Sequence, residues 1–211
     1  MTEHLTMNTV IHAAVRRDLD RFTQALQSFP AGSAERARQL LGAWRNFHKQ
    51  LDDHHHDEET IFWPALREVG ADDSLVGDLG GEHEKMMTEL ASTDVAMDAL
   101  VGDPSAEQAQ RTLRAFGQLR AAVESHFEHE ERDLEPFAAS KMGTEPMQRA
   151  LKQVRKAHPA GEQGVFMAWL QDGADDSDRA ALAKTIPAPV LFVFARVVGR
   201  SYTRDIASVW N

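Results

Sequence analysis

The sequence predicts an all-α protein: an antiparallel up-down-up-down four-helix bundle over residues 1–140, with a helical C-terminal extension, 141–211, packing on it. Three observations carry this prediction. Apolar residues recur at steps of three and four through four long segments. Short turns rich in Gly, Pro, Asp and Ser separate them, which favours antiparallel neighbours. No stretch offers a strand pattern that outcompetes helix.

In the first segment, about 5–29, Ile11, Val15, Leu19, Phe22, Leu26 and Phe29 form one helical face, and Pro30-Ala31-Gly32-Ser33 stops it. The second, about 33–69, runs Leu40, Trp44, Phe47 and Leu51 into His54, Glu58, Ile61 and Ala65 on one stripe. Pro64 is expected to kink it, because proline cannot donate to the carbonyl four residues back. The third, about 74–101, carries Leu75, Leu79, His83, Met86, Leu90 and Met97, with Gly80-Gly81 as a weak spot. The fourth opens on a capping box, Ser105-Ala106-Glu107-Gln108, and runs through Phe116, Leu119, Val123, His126, Glu130, Leu134 and Phe137 to about 140.

The tail differs. Gly143-Thr144-Glu145-Pro146 and Asp172-Gly173-Ala174-Asp175-Asp176 read as loops, with short helices at 147–157 and 164–170 between them. From Pro189, the series Leu191, Phe194, Val198, Tyr202, Ile206 and Val209 predicts a last amphipathic helix.

A net charge of −10 excludes a nucleic-acid partner, which requires a basic face. With no cysteine there are no disulfides, thiolate metal sites or cysteine nucleophiles. Residues 1–6 lack the basic and apolar regions of a signal peptide. The longest apolar run, Val190 to Gly199, is broken by Arg196 and is far short of a bilayer span. A cytoplasmic protein without a membrane partner is expected.

Chemistry concentrates in a repeat. His54-x3-Glu58-Glu59 with Pro64 returns as His126-x3-Glu130-Glu131 with Pro136, every member 72 residues on. A lone histidine precedes each copy: His12 by 42 residues and His83 by 43. Residues four apart share a helix face, so each copy offers an imidazole and a carboxylate to one point inside the bundle, where such architectures build metal sites. A lone histidine on an apolar stripe is usually a hydrogen-bonded core residue. Glutamate, however, is almost never fully buried unless paired, and six polar intrusions in a repeated spacing read as a ligand set.

His55 with Glu59 competes with His54 and Glu58, one residue round the helix, and the repeat favours the latter. His56, Glu59 and Glu131 then read as supporting or solvated groups. His4, His48, His129 and His158 fit no repeat and read as surface residues, and Met86, Met87 and Met97 as core filler. Four imidazoles and two carboxylates without sulfur suit iron or manganese better than a closed zinc site. If both glutamates bridge two metals beneath an oxo or hydroxo group, about one position per metal stays open for a small oxygen or nitrogen species.

With these residues in view, the chain resembles the haemerythrin-like HHE cation-binding family over about 5–140: His12, His54-x3-Glu58-Glu59 with Pro64, His83, and His126-x3-Glu130-Glu131 with Pro136. The resemblance implies a four-helix bundle around a non-haem, oxo-bridged pair of iron ions held by His12, His54, Glu58, His83, His126 and Glu130. Oxygen-carrying members place a second histidine one turn from the third-helix one, where this chain has Leu79 and Met87, so the implied site is one imidazole short. Iron–sulfur-cluster repair members often carry a cysteine-containing module that this chain lacks. The tail is similar to extensions on actinobacterial members. The expected function is binding of O2 or NO for sensing, delivery or protection. The alternative is an enzyme that disproportionates hydrogen peroxide, with His158 or Tyr202 supplying a polar group if the tail folds over a bundle end. The tail helix could also form a homodimer surface.

Overall fold

Thr6 opens the first helix, its hydroxyl accepting from the Thr9 backbone N–H at 3.3 Å. The computed structural model describes residues 6–210. Its bundle comprises α1 (Met7–Gln27), α2 (Ala34–Asp57) continued through a π turn (Glu58–Phe62) into α3 (Trp63–Glu68), α4 (Asp73–Gly102) and α5 (Ala106–Asp133). Ser33, Asp72 and Ser105 cap α2, α4 and α5 through side-chain oxygens. No strand occurs among the described residues.

Side-chain pairings set the directions. Along α1 and α5, His12 meets Glu131, Arg16 meets Glu124, and Asp20 meets Arg120, so these helices run antiparallel. His55 faces His83 while His48 bonds Asp94, which makes α2 and α4 antiparallel too. The α1–α2 turn touches the α4–α5 turn through Gly32 N–H and the Pro104 carbonyl at 2.7 Å. This is the up-down-up-down bundle the sequence predicts.

The core divides into two apolar clusters with a polar layer between them. One holds Phe22, Trp44, Phe47 and Phe116 in mutual ring contact. The other, nearer the C-terminal ends of α2 and α5, holds Ile61, Trp63, Leu66, Leu79 and Leu134. The histidines and glutamates of the repeat occupy the layer between.

The two prolines disturb their helices differently. Before Pro64 the chain widens into the π turn, in which Trp63 N–H donates to the Glu58 carbonyl, so the helix continues without a break. Before Pro136, α5 stops at Asp133, and α6 (Glu135–Lys141) starts afresh after Leu134.

The tail folds as α7 (Glu145–Ala157), α8 (Ala160–Gln171), α9 (Asp176–Thr185), α10 (Ala188–Val193), a π turn (Phe194–Val198), α11 (Arg200–Asp205) and a 3-10 turn (Ala207–Trp210). It departs from expectation twice. The acidic stretch at 172–176 is not all loop, because Asp175 caps α9. The last helix widens into the second π turn and is broken at Gly199. The α8 crossing there is so close that a Cβ on Gly199 would collide with the Gly164 carbonyl oxygen.

α8 is strapped to α1. Trp169 Nε1 donates to buried Asp18 at 2.7 Å, and Arg21 bonds Asp172 at 2.7 Å. Tyr202 donates to Asp172 at 2.9 Å. Burial of the Asp172 carboxylate pushes its pKa up, but Arg21 and Tyr202 outweigh that and hold it below the ordinary value. In the bundle, Met86 and Met97 are buried as expected, but Met87 is 40% exposed, and α4 runs unbroken through Gly80-Gly81.

Candidate metal centre

α1, α2, α4 and α5 each deliver one histidine of the expected set, and the π turn after α2 and the last turns of α5 deliver the glutamates. His12, His54, Glu58, His83, His126 and Glu130 are all buried and all converge. His12 Nε2 lies 3.3 Å from His54 Nε2, and His83 Nε2 lies 3.0 Å from His126 Nε2. The glutamates lie between these pairs. Glu58 is 3.4 Å from His54 and 3.5 Å from His83, while Glu130 is 3.3 Å from His12 and 3.8 Å from His126. Each lone histidine thus approaches the glutamate of the opposite copy, and each glutamate touches both pairs.

Outer carboxylates set the tautomers. His12 Nδ1–H donates to Glu131 at 2.8 Å, His83 Nδ1–H to Glu59 at 2.8 Å and His126 Nδ1–H to Glu82 at 3.0 Å. An ionised carboxylate can only accept, so each bond turns the Nε2 lone pair inward, as metal-bound histidines are commonly held. Glu59 and Glu131 are themselves 72 residues apart, so the repeat extends to the supports.

His55 is the residue that sequence reasoning passed over. It is buried, its ring centroid 4.2 Å from that of His83 and 5.6 Å from that of His126. His55, Glu58, His83 and His126 form one group able to hold a cation, and His12, His54 and Glu58 form another. The signal was in the sequence: His55 lies three residues before Glu58, and i,i+3 shares a face as i,i+4 does.

The residues fit a metal. Both ring nitrogens of His55, and Oε2 of both Glu58 and Glu130, are buried without a hydrogen-bond partner, a costly arrangement unless a cation collects them. Burial holds His54 and His55 well below the ordinary imidazole pKa, reinforced by neighbouring imidazoles. His83 is lowered, and His126 is pushed down to about 4, again chiefly by burial. These rings are neutral and ready to ligate. Burial opposes charge on His12 too, but Glu130 and Glu131 outweigh it and raise its pKa. Glu58 is raised by burial and by the neighbouring Glu130, whereas the histidines hold Glu130 low.

The sequence matches the hemerythrin HHE cation binding domain over residues 9–138. The chain belongs to the haemerythrin HHE cation-binding family. No curated protein and no solved structure matches it. Within the family's bundle, Phe127 stacks on His12 with ring centroids 3.6 Å apart, and Trp63 on His83 at 4.6 Å, closing the metal set with aromatic walls.

One edge stays open. His54, Glu58 and Glu130 line a cavity of about 950 Å³ between the bundle and the tail. His158 lines the same cavity and bonds Asp57, one residue from Glu58, at 2.8 Å. His158, expected at the surface, is half-buried, as is His129, which bonds Glu82 at 2.9 Å. Tyr202 is directed to Asp172 instead of the metal set. His48 pairs with Asp94, and His4 lies outside the described residues. Among the described residues no single helix is long and apolar enough to cross a membrane.

Proposed function

We propose that the protein is a haemerythrin-like, non-haem di-iron protein that binds small oxygen or nitrogen species, O2 or NO, for sensing, delivery or protection. The observation that carries this reading is the pair of converging histidine sets with Glu58 and Glu130 between them. His12 and His54 would hold one iron, and His55, His83 and His126 the other, with both glutamates spanning the two. His55 supplies the fifth imidazole that the third helix lacks. Nitrogen and carboxylate donors without sulfur favour iron or manganese, and iron is the choice the family makes usual.

When bound, an iron pair supplies reversible coordination of, and electron exchange with, small oxygen and nitrogen species. The chain's own residues do the remainder. Glu131, Glu59 and Glu82 hold protons at Nδ1 and keep three Nε2 lone pairs inward. Phe127 and Trp63 exclude water on two sides. His54, Glu58 and Glu130 leave the edge by which a small ligand enters. In this reading residues 1–140 form the ligand-bearing unit, the tail roofs its open edge, and the protein works in the cytoplasm.

Peroxide disproportionation is a second reading, favoured by the His158–Asp57 pair on the open cavity, which places a proton-carrying group beside that edge. Anaerobic iron reconstitution followed by O2 and then peroxide tests both. Two irons per chain and a stable charge-transfer band with O2 are expected, and one iron or none sinks the di-iron reading. Oxygen evolution from peroxide that falls in His158→Ala, at unchanged iron content, would move the assignment to the enzyme.

A further inference from the structure

The cavity beside the metal set is far larger than a diatomic ligand needs. At about 950 Å³ it sits at the upper end of sites that hold organic molecules. It follows α2 and α3 from Asn46 to Leu66, with α7 and α8 supplying the facing residues. Asn46 and Trp63 are 17 residues apart, roughly 25 Å along a helix. The space is therefore elongated.

Its α3–α7 end is apolar, built from Phe62, Leu66, Leu134, Met142, Met147 and Leu151. Apolar surface left facing water forgoes about 25 cal/mol per Å² that an apolar occupant would recover. Methionine walls adapt to flexible chains. An aliphatic occupant suits this end better than solvent does.

Polar groups narrow the class further. An anionic head group is disfavoured. Besides the two glutamates of the metal set, Asp53, Asp57, Glu135 and Glu162 line the space against Lys49 and Arg155. Lys49 is already paired with Asp53 at 2.8 Å and Glu162 at 3.2 Å.

We propose that this cavity is a second binding site, for an elongated, largely aliphatic molecule whose head group is not anionic, such as a long-chain alcohol or amine. Its chain lies along α2 past the His54–Glu58–Glu130 edge. The site does not depend on which metal the histidines take, and it is read on metal-free protein as well as on the iron-loaded form.

The test uses the neutral fluorophore N-phenyl-1-naphthylamine, displaced by 1-dodecanol, dodecanoate or dodecylamine. Saturable binding is expected, with dodecanol and dodecylamine each displacing the fluorophore at a concentration at least tenfold below dodecanoate. Leu151→Trp and Ala139→Trp, which fill the cavity without touching the metal set, should each weaken binding at least tenfold while circular dichroism and iron stoichiometry hold. Phe192→Ser, on the exposed apolar surface of α10, should leave binding unchanged. No saturable binding, loss in Phe192→Ser, or full binding in a folded filled variant overturns the site. Equal or better displacement by dodecanoate overturns the exclusion of an anionic head group. Should both filled variants unfold, the displacement order in the unmodified protein decides. Failure here leaves the iron stoichiometry, and with it the metal reading, untouched.

Discussion

In the copy of the repeat on α2, the position after the first histidine is His55, its ring 4.2 Å from that of His83. In the copy on α5 the equivalent position is Phe127, stacked 3.6 Å from His12. The skeletons are otherwise matched: histidine, glutamate, supporting glutamate and proline all recur at 72 residues. The same backbone position thus adds a potential ligand on one side and an aromatic wall on the other. A repeat can place equivalent backbone positions symmetrically while the side chains there make the two candidate ligand groups unequal, the His55 side richer in nitrogen and the His12 side more closed. The prolines diverge in the same way. The π turn at Glu58 keeps one helix continuous and Glu58 buried within it, whereas α5 ends three residues after Glu130.

Removing Glu58 should have the largest effect, because it touches histidines of both pairs. Glu58→Ala is expected to take iron content from two per chain towards none, measured by elemental analysis after reconstitution. Retention of both metals would mean that the bridging geometry is wrong.

His55→Phe converts the first copy into the likeness of the second, and it should move two observables in opposite directions. Iron should fall from two per chain to one. The metal-free protein should gain about 1–3 kcal/mol in urea unfolding, since two buried nitrogens without partners are removed. Unchanged stoichiometry would return His55 to the core and leave the two metal positions equivalent.

The supporting glutamates offer a finer contrast. Glu131 is held by Arg16 at 2.7 Å as it accepts from His12, whereas Glu59 supports His83 with its side chain 47% exposed. Loss of such a partner commonly costs about 10–100-fold in metal affinity. Glu131→Gln should fall near the upper figure and Glu59→Gln near the lower, by competition with a chelator. The reverse order would show that burial of the supporting carboxylate is not what matters.

Phe127→His, the converse swap, should act on stability alone. It removes the stacking on His12 and buries another imidazole, a cost of about 1–3 kcal/mol visible as a lower Tm of the metal-free form. A gain of a third metal equivalent would be the surprise that breaks the comparison.

By itself the sequence determined the bundle and most of the candidate site, because both are written in short-range periodicity. Steps of three and four put His12, His54, His83 and His126 on buried faces. The 72-residue repeat paired Glu58 with Glu130, and short turns dictated antiparallel neighbours. What only the tertiary structure decided are facts about distance between segments. Whether position 55 faces the histidine cluster or solvent depends on where α4 brings His83, and one helical turn cannot say. Glu82, which supports both His126 and His129, sits outside any repeat and is recognised only when α4 and α5 are side by side. The tail was least legible. Its helices are short, and their packing on α1 and α3, with the elongated cavity beneath, follows from cross-chain contacts such as Trp169 with Asp18 and Tyr202 with Asp172, for which local spacing carries no signal.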